Sequence, residues 1–247
     1  MQLTEYEIMF NVETTHWWYR ALRRILLFHF DQFLPNWRSE PILDAGCGTG
    51  SNLAHLVGAG SRVGLDLAAP AIQLCRKRGL ENLVRADVSS LPFPDKSFAA
   101  LISASVLYHR WVKDMDQALR ESHRVLRDGG LLFLDLPAFS FLTSPHDEAV
   151  HTARRFTKSE VLDLVRANGF EVRRITYWNT LLFPLIWLVR FSGMSKSGRD
   201  FGDGKPPAGL TNSILDLVMR AEFFLLRRTS LPFGVSISCV AVRRANP

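Results

Sequence analysis

Three acidic residues stand where short apolar runs end: Asp44 after Ile42-Leu43, Asp66 after Val63-Gly64-Leu65, and Asp87 after Leu83-Val84-Arg85-Ala86. Behind the first lies Ala45-Gly46-Cys47-Gly48-Thr49-Gly50, three glycines alternating with small residues, and Ser51-Asn52-Leu53-Ala54-His55-Leu56 reads as the opening of a helix. Glycine lets a ligand approach bare backbone, and a helix start adds unpaired N–H groups at the positive end of its dipole. A glycine turn alone fits any strand-to-helix connection, so the spacing has to narrow the choice. Here it is G-x-G-x-G followed by Ser51, not the G-x-G-x-x-G of a dinucleotide site. A nicotinamide dehydrogenase is disfavoured on that ground. Asp66, sixteen residues past Gly50, can accept from a pair of ribose hydroxyls. Three acids that each close a strand meet at the sheet edge where open α/β folds hold their ligand.

The elements that must position them alternate. Strands are expected near 41–46, 61–66, 82–86, 98–104 and 130–136, with helices near 50–58, 69–78 and 113–127, the signature of a parallel sheet. Asp128-Gly129-Gly130 is expected to stop the last of these helices. Ahead of them, residues 1–40 read as helix: Tyr19, Leu22, Leu26 and Phe30 recur at helical spacing until Pro35. After them, Thr157-Lys158-Ser159-Glu160 has the form of a capping box, residues 170–177 alternate like a strand, and residues 235–242 offer another.

At 247 residues and 47% apolar composition, the chain suits one domain with an elaboration. No run reaches the ~18 apolar residues of a membrane span. The N-terminus lacks a signal-peptide pattern, and Cys47, Cys75 and Cys239 show neither pairing nor metal spacing, so a cytoplasmic protein is expected. The net charge of +6 is uneven: residues 151–247 hold 15 Lys and Arg against 7 Asp and Glu, residues 1–150 hold 15 against 17. A basic second half fits an anionic acceptor, an anionic membrane surface or nucleic acid, and equally a solvated face.

The runs D-x-G-C-G-T-G, G-x-D and A-D-x-x-x-L-P-F together resemble the class I S-adenosylmethionine-dependent methyltransferases of the type 11-like kind. Thr15-His16-Trp17-Trp18-Tyr19-Arg20, His146-Asp147-Glu148, Arg154-Arg155-Phe156-Thr157 and Thr176-Tyr177-Trp178-Asn179 are similar to a bacterial subgroup marked by an N-terminal H-W-W-Y-R. The resemblance implies a Rossmann-like α/β fold: a seven-stranded, mostly parallel sheet with its last strand antiparallel and helices on both faces. Within a single domain it implies a helical cap (1–40), a cofactor-binding core (41–136), a substrate-side loop, helix and strand (137–178), a helical insertion or lid (179–232) and a last strand (233–247). It also implies S-adenosyl-L-methionine as methyl donor and S-adenosyl-L-homocysteine as product. Ala45, Gly46, Cys47, Gly48 and Gly50 would cradle the methionine part, and Asp44 would meet its amino group. Asp66 with Leu67 would take the ribose, Asp87 with Val88 the adenine, and Ser103 would line the methyl-transfer segment. Trp18 would cap the cofactor, with Arg20 near its carboxylate. In that segment relatives often carry an acid where Ser105 stands and Glu-His where Tyr108-His109 stands, so an acid–base role at position 105 does not carry over.

His109 is the first candidate for a general base, because imidazole titrates near neutrality; Tyr108 stands beside it, and His146 and His151 follow on the loop over the same cleft. His146, Asp147 and His151 lack diagnostic metal spacing, and no metal is expected. Ser103-Ala104-Ser105-Val106 is not the N/D-P-P-Y/F-like run of base-amino methyltransferases, so a nucleic-acid acceptor is a secondary alternative. A non-catalytic cofactor-binding scaffold is another, opposed by the intact acids and glycines. The acceptor is expected to be a small molecule or a lipid- or glycan-type compound, and the protein a monomer or homodimer. Within 179–232, the segment from Ser192 to Gly209 reads as a mobile loop. Beyond it, Ile214, Val218, Ala221 and Leu225, widened by Leu217 and Phe224, form one helical face. That face is expected to pack on the sheet or a partner, or to form a lid or lipid-facing surface with Arg220, Arg227 and Arg228 near head groups.

Overall fold

The computed structural model describes residues 3–58, 60–144, 147–148, 151–191 and 209–244. Apolar runs punctuated by glycine become the strands of one sheet: β1 (Pro41–Ala45), β2 (Ser61–Asp66), β3 (Leu83–Arg85), β4 (Phe98–Ala104), β5 (Leu126–Pro137), β6 (Phe170–Trp178) and β7 (Ser236–Arg243). Their order is β3-β2-β1-β4-β5-β7-β6. The first five run parallel, and β7 is antiparallel to both β5 and β6. This is a Rossmann-like, mostly parallel seven-stranded sheet with its last strand antiparallel. The strand order reverses between β1 and β4, so their C-terminal ends diverge there and leave the crevice in which such sheets bind ligands.

Helices cover both faces. On one, α2 (Trp17–Phe33) lays Leu22, Ile25, Leu26 and Phe30 against Ile42, Ala100, Phe133 and Trp178. On the other, α5 (Met115–Val125) and α6 (Lys158–Ala167) bury Leu119, Val125, Val161 and Val165 with Leu43, Leu101, Leu132 and Ile237. The Thr157–Glu160 capping box that opens α6 is complete in both directions. The short α3 (Ser51–His55) and α4 (Ala69–Lys77) follow β1 and β2.

Three expectations need correction. The N-terminal helix is two helices, because α1 (Leu3–Val12) stops and His16 caps α2, its Nδ1 accepting the Trp18 N–H at 3.2 Å. The helix expected over 113–127 ends at Val125, and β5 already begins at Leu126. The Asp128-Gly129-Gly130 segment lies in a register shift of β5 against β4; Gly130 approaches the Arg127 carbonyl so closely that a Cβ would lie 2.7 Å from it.

The third correction concerns the insertion, which contributes α7 (Phe183–Phe191) and α8 (Gly209–Leu226). The face of α8 turned inward is Leu215, Asp216, Met219, Glu222 and Leu226, one position on from the expected stripe, and Ile214, Leu217, Ala221, Phe224 and Leu225 face outward. Two buried acids set this rotation. Glu222 accepts the backbone N–H groups of Asn179, Thr180 and Leu181 at 2.5–2.8 Å. Asp216 pairs with Arg24 at 2.6 Å, Arg220 at 3.0 Å and Arg20 at 3.4 Å. Removing either acid from its donors would strand buried polar groups, a larger cost than exposing a few apolar side chains. The expected loop from Ser192 up to Gly209 lies outside the described residues.

Candidate active site

Over the C-terminal ends of β1, β2, β4 and β5 lies a cavity of about 530 Å³, within the ~300–1,000 Å³ range of small-molecule sites. Its floor is the glycine turn. Gly46 and Gly48 have φ of 87° and 55°, and a Cβ on Gly46 would lie 2.3 Å from the Val106 side chain. Only glycine fits there. Of the residues singled out from sequence, Gly46, Cys47, Gly48, Asp66, Leu67, Asp87, Val88, Trp18, Tyr108 and His109 line the cavity. Ala45 is buried in β1, and Gly50, with φ 83°, stands at the start of α3 against Leu80 and Cys75. His146 lies outside the described residues.

Asp44 lies buried at the end of β1, 1% exposed, and neither carboxylate oxygen has a hydrogen-bond partner among the described residues. Burial, with the neighbouring charges of Asp66 and Glu13, pushes its carboxyl up to about 8. Asp66 is held more firmly, its two oxygens accepting the N–H groups of Gly48 and Ala68 at 2.9 Å each. Burial still raises its carboxyl above the ordinary value against those bonds. Asp87 accepts the Ser89 N–H at 2.8 Å. Ser103 is buried in β4, its hydroxyl unpartnered among the described residues.

The N-terminal helices form the roof. Tyr6, Met9 and Phe10 of α1 pack on Ala71 and Leu74 of α4, and a Cβ on Gly48 would lie 3.0 Å from Met9 Cε. Glu13, buried, accepts from the Thr49 hydroxyl and from Arg78, which ties the roof to the glycine turn. Burial outweighs these bonds and pushes Glu13 up to about 7. Trp17, buried in the core, Trp18 and Tyr19 all line the cavity, and Trp18 leans on Trp178 at 5.4 Å. Arg20 departs from its expected place, turning to Asp216 on α8 and lying outside the cavity lining.

On the β4–β5 side the lining is Ser105, Tyr108, His109, Asp135, Asp147 and Arg155, with Arg190. Asp147 and Arg155 form a buried ion pair at 2.8 Å. The Tyr108 and His109 rings lie 4.5 Å apart. Asp135 was not singled out from sequence. It is 2% exposed and accepts from the Ser105 hydroxyl and the Trp178 indole N–H, each at 2.9 Å. A lone acid inside the run Leu131-Leu132-Phe133-Leu134-Asp135-Leu136 was the available signal.

Residues 43–134, which carry the glycine turn and all three strand-end acids, match the family model described as a methyltransferase domain. These residues form a methyltransferase domain, and the sheet they belong to has the fold of S-adenosylmethionine-dependent methyltransferases. It is 35% identical over 133 residues to a malonyl-[acyl-carrier protein] O-methyltransferase of Pseudescherichia vulneris, an alignment covering 51% of this chain and 52% of that one. It is 32% identical over 169 residues to the human protein named “Probable tRNA methyltransferase 9B”, covering 68% and 31%. The chain thus spans about half the length, or less, of the curated relatives it matches. Among solved structures, geranyl diphosphate methyltransferase in complex with GPP and sinefungin superposes with a TM-score of 0.61 at 17% identity, over 91% of this chain and 77% of that one. That likeness concerns the fold.

The methyltransferase cofactor, S-adenosylmethionine, carries an ammonium group, two ribose hydroxyls and a sulfonium. The residues present fit it. An unpartnered buried carboxylate at Asp44 suits an ammonium, directly or through water, and the bare turn at Gly46 and Gly48 leaves room for a chain against the backbone. Among the described residues, the cavity is lined by six acids, Glu5, Glu13, Asp66, Asp87, Asp135 and Asp147, and by two arginines, Arg155 and Arg190. That field favours a cation.

Proposed function

We propose that this protein transfers a methyl group from S-adenosylmethionine to a small-molecule or lipid-type acceptor, its segments working as one methyltransferase unit. The observation that carries this reading is the buried, unpartnered Asp44 carboxylate, which feels the charge of Asp66 and lies two residues before the turn whose Gly46 and Gly48 line the cavity together with Asp66 and Asp87. When bound, the cofactor supplies a methyl group already activated on a sulfonium. The protein then has to align the partners and exclude water. Asp44 takes the ammonium, Asp66 the ribose hydroxyls, and Asp87 with the Val88 backbone the adenine edge. Trp18, Tyr19 and Met9 close over them. Tyr108 and His109 stand on the acceptor side.

The acidic lining supports a small acceptor over a polyanion such as nucleic acid. The outward face of α8 supports a lipid-type acceptor met at a membrane surface. Leu210 and Leu217 are 77% and 66% exposed, Ile214, Phe224 and Leu225 lie with them, and Arg220, Arg227 and Arg228 stand exposed on the same helix and its end. No helix among the described residues is long and apolar enough to cross a membrane; the reading offered is of an enzyme resting on the membrane surface, on the cytoplasmic side. Titration calorimetry tests the core of the proposal. The wild type binds S-adenosylmethionine, and Asp66→Ala weakens it by ~2–3 kcal/mol, tens- to over a hundredfold. Unchanged affinity in the variant refutes the ribose assignment.

A further inference from the structure

We infer that Asp135 takes the acceptor's proton, and that the acceptor presents a hydroxyl or an amine N–H and not a carboxylate. The inference rests on methyl transfer occurring in this cavity.

Asp135 lies in β5 opposite Ala104 of β4 and Ser238 of β7, at the strand ends that form the cavity floor. Its two oxygens are oriented by two donors on different elements, Ser105 beyond β4 and Trp178 at the end of β6. A carboxylate oxygen accepts more than one hydrogen bond, so each oxygen keeps acceptor capacity toward the cavity that Asp135 lines. Ser105 is a non-glycine residue at φ 60°, in the left-handed region. Such a conformation costs energy and persists where the surroundings impose it; here it sets the hydroxyl on Asp135. On the Asp135 side of the cavity stand Tyr108 and His109 from the segment after β4, the Asp147–Arg155 pair and Arg190 from α7; Glu5, Tyr6, Glu13, His16, Tyr19, Cys47, Asp66 and Asp87 line the rest of it. Burial and the Asp135 charge raise the Tyr108 phenol, so it stays neutral. Arg155 is already paired with Asp147 and donates to the Ala138 carbonyl. Burial outweighs the two hydrogen bonds to Asp135 and pushes its carboxyl up to about 7, where a general base is effective near neutral pH.

The step balances. The acceptor's oxygen or nitrogen forms a bond to the methyl carbon as that carbon's bond to sulfur breaks, and the bonding pair returns to sulfur. The acceptor's proton passes to an Asp135 oxygen and leaves to solvent with the product. One positive and one negative charge vanish together, which a buried site favours. A carboxylate acceptor carries no proton for Asp135 to take, so a base at this position has no part in methylating one.

The test uses the full chain saturated with S-adenosylhomocysteine. Infrared difference spectra between pH 5 and pH 9 should show a carboxylic-acid band that disappears with a midpoint near neutrality. The band should be absent in Asp135→Asn and shifted to a higher midpoint in Ser105→Ala, which loses a bond to the charged form. Comparison with Asp135→Asn separates it from Asp44 and Glu13, and unchanged S-adenosylhomocysteine affinity shows that the variant is folded. With S-adenosylmethionine, phenol and alkylamine probes should release S-adenosylhomocysteine at rates that rise through the same midpoint. Asp135→Asn should lower these rates by ~10²–10⁴-fold and flatten the profile, while decanoate should give no product. A missing band, preferential methylation of decanoate, or full turnover by Asp135→Asn overturns the inference. Failure of the wild type to bind S-adenosylmethionine would instead sink the methyltransferase reading itself.

Discussion

Cofactor binding should be coupled to proton release through Asp44. In the free protein this carboxyl is buried without a partner and sits at about 8, so at pH 7 roughly nine-tenths of molecules hold it protonated. An ammonium beside it favours the carboxylate and drives the value down. Binding at pH 7 should therefore release roughly 0.9 proton per complex. Because only the ionised fraction is competent, and that fraction rises close to tenfold between pH 6 and pH 7, the dissociation constant should fall close to tenfold over that interval. The ligand's own α-amino group stays protonated there.

Calorimetry in buffers of different ionisation enthalpy reads the proton directly, and Asp44→Asn should abolish both the release and the pH slope. Glu13, at about 7, is coupled to Asp44 through their charges, so an Asp44→Asn, Glu13→Gln double variant measures the share of the release that Glu13 contributes. The same shift acts on folding. Asp44 binds its proton more tightly folded than unfolded, so its contribution is fully present below the unfolded value near 4 and is lost as pH rises through about 8. The ligand-free wild type should accordingly melt lower at pH 8 than at pH 5.5, by a margin that shrinks in Asp44→Asn. A wild type whose affinity is flat from pH 6 to pH 7, or an Asn variant with the same slope, would show that Asp44 does not meet the ammonium.

Two further outcomes concern the insertion. Glu222→Ala strands the three N–H groups that open the 179–181 turn and should cost about 3 kcal/mol, read as a lowered urea midpoint with unchanged slope; a loss below 0.5 kcal/mol would mean the turn finds other acceptors. In liposome co-sedimentation, the α8 face should give binding that requires anionic lipid and weakens with salt, because exposed charges are screened over ~8 Å at physiological ionic strength. Protein that stays in the supernatant under every condition would leave that face to a lid or a second copy of the chain.

The glycine turn and the strand-end acids, to which the proposed reading assigns the cofactor, were legible because their geometry is local. A strand-end acid, a glycine turn and a helix start are consecutive residues, and the bounds expected for β2 and β4 match those observed. The acceptor half was not, because its partners are distant in the chain. Asp135 is one acid within an apolar strand until Ser105, 30 positions away, and Trp178, 43 positions away, are brought to it. The face of α8 was misjudged for the same reason. Hydrophobic periodicity assumes that acids seek water, and it holds no record of Arg24, 192 positions from Asp216, or of the backbone turn that Glu222 closes. Each of those contacts overrides the apolar stripe because a buried unpaired group costs more than an exposed leucine.

The charge of the chain misleads in a related way. A net charge of +6, with the excess in the second half, left open an anionic acceptor, an anionic membrane surface, nucleic acid or a merely solvated face. Many of the arginines instead hold the fold together. Arg20, Arg24 and Arg220 surround Asp216, Arg174 donates to the carbonyls of Leu226 and Thr229, and Arg243 donates to the carbonyls of Arg124 and Leu126. The cavity has the opposite sign: among the described residues its lining holds six acids and two arginines, and of these Asp147 and Arg155 pair with each other while Glu13 pairs with Arg78. Ligand choice depends on the local field inside a low-dielectric cleft far more than on the sum over the surface. Burial holds Asp44, outside that lining, up at about 8, and Asp135 and Glu13 within it at about 7, so part of this acidity is uncharged at neutral pH. On the proposed reading, a cationic cofactor draws Asp44 into its charged form, and a protic acceptor gives its proton to the ionised fraction of Asp135.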